Sequence, residues 1–355
     1  MIDTARHRGS VHRADPRQCA FARTDPAHAA ALSRRGLLVA LAAAGGIAPS
    51  AASDKRRPAR IGIVAAGSPE QANANIRAFL DGLRDDGLEE GRDVVLEVRW
   101  ARGVAAAIQA LSAELAALPV DVFVASNNNI IAASQRATRT TPIVMVLGFE
   151  PVTAGFIQSY AQPGGNITGL TNAPGPSMDG KMLALLTELL PRVATVGLLA
   201  QAGVGADGNS IDEAARALRL RIVRAPPVTD AGDLAAAVAK LEQTGAQALY
   251  VFGGALIYAQ RQRVAELALQ HRLPGIHFSA DYVRAGGLLS YGTDLRAQYR
   301  RAAWYVSRIL GGARPAELPV EQPARFEMAL NLATARALGI TVPNSLLVRA
   351  DEVIG

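Results

Sequence analysis

Arg60-Ile61-Gly62-Ile63-Val64-Ala65-Ala66-Gly67-Ser68-Pro69 is an apolar run that stops at a glycine, a serine and a proline. Apolar residues without polar alternation read as a strand buried on both faces, the habit of parallel sheets covered by helices. Residues 70–87 follow at helical spacing, with Ile76, Phe79, Leu80 and Leu83 on one side and Gly87 as the stop. The alternation continues with a strand over 93–100, a helix over 104–118, a strand over 120–126, a helix over 130–139 and a strand over 142–147. Strands separated by helices in this order predict a parallel, doubly wound α/β sheet.

The pattern then returns. Strands are expected over 194–199, 221–225, 248–252 and 274–278, with helices over 210–219, 230–244 and 259–272. Each half closes on a strand opened by proline, Pro142 or Pro274, and a similar phrase follows each: Val152-Thr-Ala-Gly-Phe-Ile157 and Val283-Arg-Ala-Gly-Gly-Leu288. Two copies of one lobe is the economical reading. Three extended pieces lie between and after the copies: Asn166-Ile-Thr-Gly-Leu-Thr171, Gly287-Leu-Leu-Ser-Tyr-Gly292, and, beyond a helix over 295–310, Pro319-Val-Glu-Gln-Pro323 with residues 325–330. The expected fold is therefore α/β, two Rossmann-like lobes with parallel sheets joined by a three-crossover hinge. The first lobe is expected over 59–168 plus 288–316 and the second over 171–286 plus 318–355. Parallel sheets bind ligands beyond the carboxyl ends of their strands, so two facing sheets would share a cleft.

Upstream, Ser33-Arg34-Arg35-Gly36 precedes a mildly apolar run and a small-residue tail reaching Ala52. That is the layout of a twin-arginine export signal, and the run is shorter than the roughly 20 residues a membrane span needs. Residues 1–32 carry no apolar period on which a buried helix could pack. A signal over 1–52, cleaved near Ala52, implies a periplasmic protein. The net charge of the whole chain is +6, but residues 1–52 hold seven arginines against three aspartates, so the remainder carries only +2. Little basicity remains after the signal, no basic stripe with interleaved aromatics is present, and no nucleic-acid partner is expected. Cys19, the single cysteine, lies within the leader, which excludes disulfides, thiolate metal sites and a cysteine nucleophile from the rest.

The ordered phrases Arg60-Ile-Gly-Ile-Val64, Phe79-Leu-Asp-Gly-Leu83, Glu90-Gly-Arg-Asp-Val-Val-Leu-Glu-Val-Arg-Trp100, Val120-Asp-Val-Phe-Val-Ala-Ser126 and Thr141-Pro-Ile-Val144 continue through Glu150-Pro-Val-Thr-Ala-Gly155 and Pro163-Gly-Gly-Asn-Ile-Thr-Gly-Leu170. Ala285-Gly-Gly-Leu-Leu-Ser-Tyr-Gly292, Leu318-Pro-Val-Glu-Gln-Pro323 and Ala350-Asp-Glu-Val-Ile354 complete the set. In this order they resemble the substrate-binding proteins of a bacterial ABC importer family related to the tryptophan- and tyrosine-binding type. The resemblance spans about 59–355. It implies a type I periplasmic-binding-protein fold and a small-molecule solute, expected to be an amino acid or related carboxylate. It also implies delivery of that solute to an ABC permease and its ATPase in the inner membrane by a monomeric mature chain.

Gly67 and Ser68 end the first strand before a helix, where serine caps the helix or free backbone N–H groups meet a carboxylate. Ser126, Asn127 and Asn128 stand at the same place after the third strand; consecutive asparagines depart from the family's small residues and favour ligand contact. Phe149 and Glu150 follow the fourth strand, and Glu150 either meets a ligand ammonium or braces the loop. Thr171 and Asn172 leave the first crossing on the hinge side of the cleft. In the second copy, the Gln201–Asn209 loop and Phe252-Gly253-Gly254-Ala255 replace more proline-rich family phrases on cleft loops. Asp281 keeps the family's acidic position and is the expected ammonium partner; Tyr291 either stacks on a ligand or fills the hinge.

No nucleophile elbow, phosphate loop or metal-spaced cluster is visible, and Gly62 with Gly67 lacks the dinucleotide fingerprint. His271, at a helix end, and His277, within a strand, read as structural. No catalytic residue, cofactor or metal is expected. The alternatives are a twin-Rossmann enzyme of the transferase type, which lacks its catalytic residues here, and a ligand-sensing domain of the same fold, which would need an attached output domain.

Overall fold

The structure is a computed structural model that describes residues 57–172, 177–202, 209–323 and 325–355; the segment read as an export signal and most of the 201–209 loop lie outside them. The first half runs β1 (Ala59–Ala65), α1 (Pro69–Asp85), β2 (Val94–Trp100), α2 (Ala107–Ala117), β3 (Val122–Ala125), α3 (Asn128–Ala137), β4 (Ile143–Gly148) and β5 (Ile167–Thr171). Its five strands form an all-parallel sheet in the order β2-β1-β3-β4-β5. The second half runs α4 (Ser177–Leu189), β6 (Thr195–Ala200), α5 (Asn209–Ala217), β7 (Arg221–Arg224), α6 (Asp233–Gln243), β8 (Ala248–Phe252), α7 (Ala255–Ala259), α8 (Arg261–Gln270), β9 (Gly275–His277), α9 (Ala280–Arg284) and β10 (Leu289–Thr293). After α10 (Leu295–Leu310) come β11 (Phe326–Asn331), α11 (Leu332–Leu338), α12 (Asn344–Arg349) and β12 (Glu352–Ile354). The second sheet is seven-stranded, in the order β12-β11-β10-β9-β8-β6-β7.

Each sheet is buried on both faces, as the unalternated runs require. On one side of the first sheet, Ile61 and Ile63 pack with Phe79 and Leu83 of α1 and with Ala302, Ala303 and Val306 of α10. On the other, Val64, Phe123 and Ala125 meet Ile108 and Leu115 of α2 and Ile130 and Ile131 of α3. Gly82 lets α1 and α10 touch: a Cβ there would stand 2.4 Å from the Arg300 carbonyl oxygen. In the second sheet, Leu198 and Tyr250 face α4, while Leu199 and Val251 face α6 and α8.

The strands and helices of both copies fall within a few residues of expectation, and the related phrases adopt the same turn. Ala154 N–H donates to the Glu150 carbonyl at 2.9 Å and Ala285 N–H to the Asp281 carbonyl at 3.1 Å, which makes Glu150 and Asp281 counterparts. Other details differ. The helix expected over 259–272 is α8, and a separate short helix that was not expected, α7, precedes it. The second sheet is not wholly parallel, because β11 returns from the first lobe and enters antiparallel to β10. The segment 288–293 belongs to the second sheet through β10, so the second crossing falls at Asp294, whose carboxylate caps α10 by accepting from Arg296 N–H at 2.9 Å. Helices α4, α9, α11 and α12 and strand β12 were not anticipated; they are short or carry no clean period.

His277 is structural, as expected, and fully buried. Its Nδ1 accepts the Ser279 N–H at 3.0 Å, and burial lowers its pKa to about 3, so the ring is neutral in the fold. An unfolded histidine titrates near 6.5, so between those values the unfolded chain binds a proton the folded chain refuses. Stability therefore falls as pH drops from about 6.5 towards 3. The expected outcome is that His277→Asn flattens the decline in melting temperature between pH 7 and pH 4.5; an unchanged slope would contradict this assignment.

Candidate functional site

The carboxyl ends of β1, β3 and β4 in the first lobe and of β6, β8 and β9 in the second carry the turns singled out in the sequence. At the first, the Gly67 carbonyl accepts the Arg102 N–H at 3.2 Å. The Ser68 hydroxyl donates to Glu70 at 2.5 Å, a bond that lowers the Glu70 pKa. Ser126 lies against the hydroxyl of buried Tyr299 on α10.

The asparagines do less for a ligand than their number suggested. Asn127 is the N-cap of α3, its Oδ1 accepting from Ile130 N–H at 3.2 Å. The Asn128 amide pairs with the Phe149 backbone in both directions, donating to its carbonyl and accepting from its N–H at 2.8 Å each. Two of the three asparagines are thus occupied, Asn127 in capping α3 and Asn128 in holding the β4 turn. That turn places Glu150 at φ +42°, a left-handed conformation rare outside glycine. Glu150 is exposed, and its carboxylate makes no hydrogen bond or ion pair among the described residues.

Thr171 and Asn172 are hinge residues. Buried Thr171 accepts the Gln298 amide at 3.1 Å through its carbonyl, and Asn172 Oδ1 accepts the Thr293 hydroxyl at 2.9 Å, tying the first crossing to the second. In the second lobe, Gly253 and Gly254 are demanded by close approach. A Cβ on Gly254, at φ +152°, would sit 2.3 Å from Gln201 Oε1, and one on Gly253 would sit 2.6 Å from the Phe278 ring. Gln201 Oε1 in turn accepts the Leu256 N–H at 2.9 Å and fixes the start of α7. Tyr291 stacks on Phe326 with centroids 5.8 Å apart and packs against the core of the second lobe, so it fills structure.

Asp281 stands in a different environment from the one expected. Its Oδ2 accepts the Tyr258 hydroxyl at 2.6 Å, and its Oδ1 accepts Arg284 at 2.8 Å and Arg296 at 3.3 Å. Burial pushes its pKa up, but the Tyr258 hydrogen bond and the two guanidinium groups outweigh that and hold the carboxyl below its usual value. Two cations already compensate its charge, so it is not poised for a ligand ammonium. Sequence reasoning missed Tyr258, Asn75, Tyr299 and Arg296, which gather around this carboxylate and Ser126. None lies in a recognisable motif; only the folded lobes bring them together. Among the described residues no group of three or more side chains could hold a metal ion, and no helix is long and apolar enough to cross a membrane.

Two α/β lobes with the chain crossing between them, and with turns at the strand carboxyl ends on both sides, define a two-lobed binding protein. A family model described as ABC transporter substrate binding protein matches residues 60–354, and the chain belongs to that family. It is 22% identical over 306 residues to a tyrosine-binding protein of Clostridioides difficile (strain R20291), an overlap of 84% of this chain and 87% of that one. A conserved domain protein of Vibrio cholerae superposes with a TM-score of 0.78 at 24% identity, over 84% of this chain and 100% of the other. A Streptococcus pneumonia ABC domain in complex with L-Trp superposes at 0.76 with 23% identity, again over 84% and 100%.

The Asn128 clamp is testable. Asn128→Ala removes both bonds to the Phe149 backbone and leaves its N–H and carbonyl partly buried, which costs about 1–3 kcal/mol. Urea unfolding should show a lower midpoint at unchanged slope; an unchanged midpoint would mean the amide holds nothing.

Proposed function

We propose that this protein is an exported receptor that captures a small organic solute, an amino acid or a related carboxylate, between its lobes and delivers it to an ABC permease with its ATPase. The observation that carries the reading is the match of the family model across both lobes, over residues 60–354. The printed ligands of two relatives, tyrosine and L-Trp, support an amino acid. In this reading the backbone N–H groups at the entries of α1 and α3, beside Ser68 and Ser126, meet the acid end of the solute. Glu150, the acid without a protein partner, takes the cationic end in place of its counterpart Asp281. Closure about the crossings would bury the solute. The export signal at 33–52 supplies the periplasmic address, and catalysis forms no part of the reading.

A thermal-shift screen of the chain without residues 1–52, against amino acids and small carboxylates, tests this. A solute at 100 times its dissociation constant adds about 2.7 kcal/mol of stability, visible as a higher melting temperature. L-tyrosine, L-tryptophan or a related solute should give that shift. No shift with any member of the panel, alongside turnover of a substrate, would overturn the receptor reading.

A further inference from the structure

Helix α7 is where the second lobe touches the first. It begins directly after the Gly253-Gly254 turn, and a Cβ built on Gly103 of the first lobe would lie 3.6 Å from Leu256 and 3.8 Å from Ala259. Its last turn carries Tyr258, whose ring lies under the Arg261 guanidinium at 4.8 Å. The Tyr258 hydroxyl donates to Asp281 at 2.6 Å, and the amide of Asn75, on α1 of the first lobe, lies against the same hydroxyl. Asn75 is buried, at 5% exposure, although it sits on an outer helix of the other lobe. On the far side of the carboxylate, Arg296 reaches Asp281 from α10, which packs on the first lobe. A tyrosine–carboxylate unit of the second lobe is therefore flanked by buried Asn75 of the first lobe on one side and bonded by Arg296 of α10 on the other.

We propose that Tyr258 is a positioning residue that latches α7 to the first lobe in the closed form, so that the latch, and not a contact with the solute, sets how long a captured solute stays. The proposal rests on the receptor reading above. It explains why Asp281 is paired to two arginines when its counterpart Glu150 is left unpaired: the two copies of one position have divided, one for closure and one for the cleft. It also explains the link between latch and cleft. The N–H that starts α7 is held by Gln201 at the β6 turn, so movement of the cleft turn is movement of the latch. Interactions made only after closure act on escape and leave entry unchanged.

The test uses the chain without residues 1–52, which holds no natural cysteine, labelled at one introduced exposed cysteine per lobe for energy transfer between lobes. Tyr258→Phe keeps the ring and its stacking on Arg261 and removes the hydroxyl. The expected result is a lower transfer efficiency without solute and a roughly fivefold faster dissociation of L-tyrosine or L-tryptophan, the loss of about one hydrogen bond, with an unchanged association rate. Arg296→Gln, at a half-exposed position, should shift both readouts the same way by less and guards against a folding defect in the first variant. A melting temperature that falls while transfer efficiency and dissociation rate stay at the wild-type values would overturn the latch. If neither amino acid binds, the receptor reading loses its ligand class, and the solute-free transfer efficiency alone decides the latch.

Discussion

The constraint on which the structure depends is the strap of main chain at the edge of the first sheet. Residues 318–321 run beside β5 with Thr171 N–H on the Glu321 carbonyl at 3.0 Å, Glu321 N–H on the Gly169 carbonyl at 3.0 Å and Val320 N–H on the Tyr160 carbonyl at 2.7 Å. The chain is thereby paired to one lobe immediately before it enters the other as β11. Arg301 of α10 grips the Glu321 carboxylate through two nitrogens while its guanidinium lies 4.0 Å over Trp304. A half-exposed ion pair contributes little by itself, but a forked pair that also stacks fixes a geometry. The strap defines where the lobes can rotate, because residues on either side are committed to separate sheets.

From that constraint the division of labour follows. Each lobe has its own pair of apolar cores, one on each face of its sheet, so each stands without the other. Much of the contact named between the lobes is polar, Asn172 with Thr293 at the crossings and the Tyr258–Asp281 unit with Asn75 and Arg296 further out, beside the approach of Leu256 and Ala259 to Gly103. Polar contacts exchange readily with water, whereas an apolar interlobe core would hold the molecule shut. A receptor that must open and close needs the former.

The fold was legible because parallel strands announce themselves as apolar runs, and because the repeated phrases at 152–157 and 283–288 are short-range signals. The antiparallel return of β11 was not legible, since strand direction depends on where α10 leaves the chain. The family phrase Leu318-Pro-Val-Glu-Gln-Pro323 was visible as a pattern, but that Glu321 anchors it to Arg301 appears only in three dimensions. At the site the sequence pointed to turns at the strand ends but not to the partners their polar residues have within the fold. Asn128 and Asp281 are polar residues at strand ends, as a binding residue would be, yet one pairs with the Phe149 backbone and the other with two arginines. The Asn128 partner lies 21 residues away, and of the Asp281 partners only Arg284 is local, three residues on, while Tyr258 and Arg296 are brought in by the fold.

The central claim is that solute binding draws two independently cored lobes together about the strap. Small-angle X-ray scattering of the chain without residues 1–52, alone and with saturating L-tyrosine or L-tryptophan, measures this directly. The account predicts a smaller radius of gyration with solute, lost again when the solute is dialysed away. Identical scattering curves for the free protein and for protein proven by calorimetry to be saturated would contradict it.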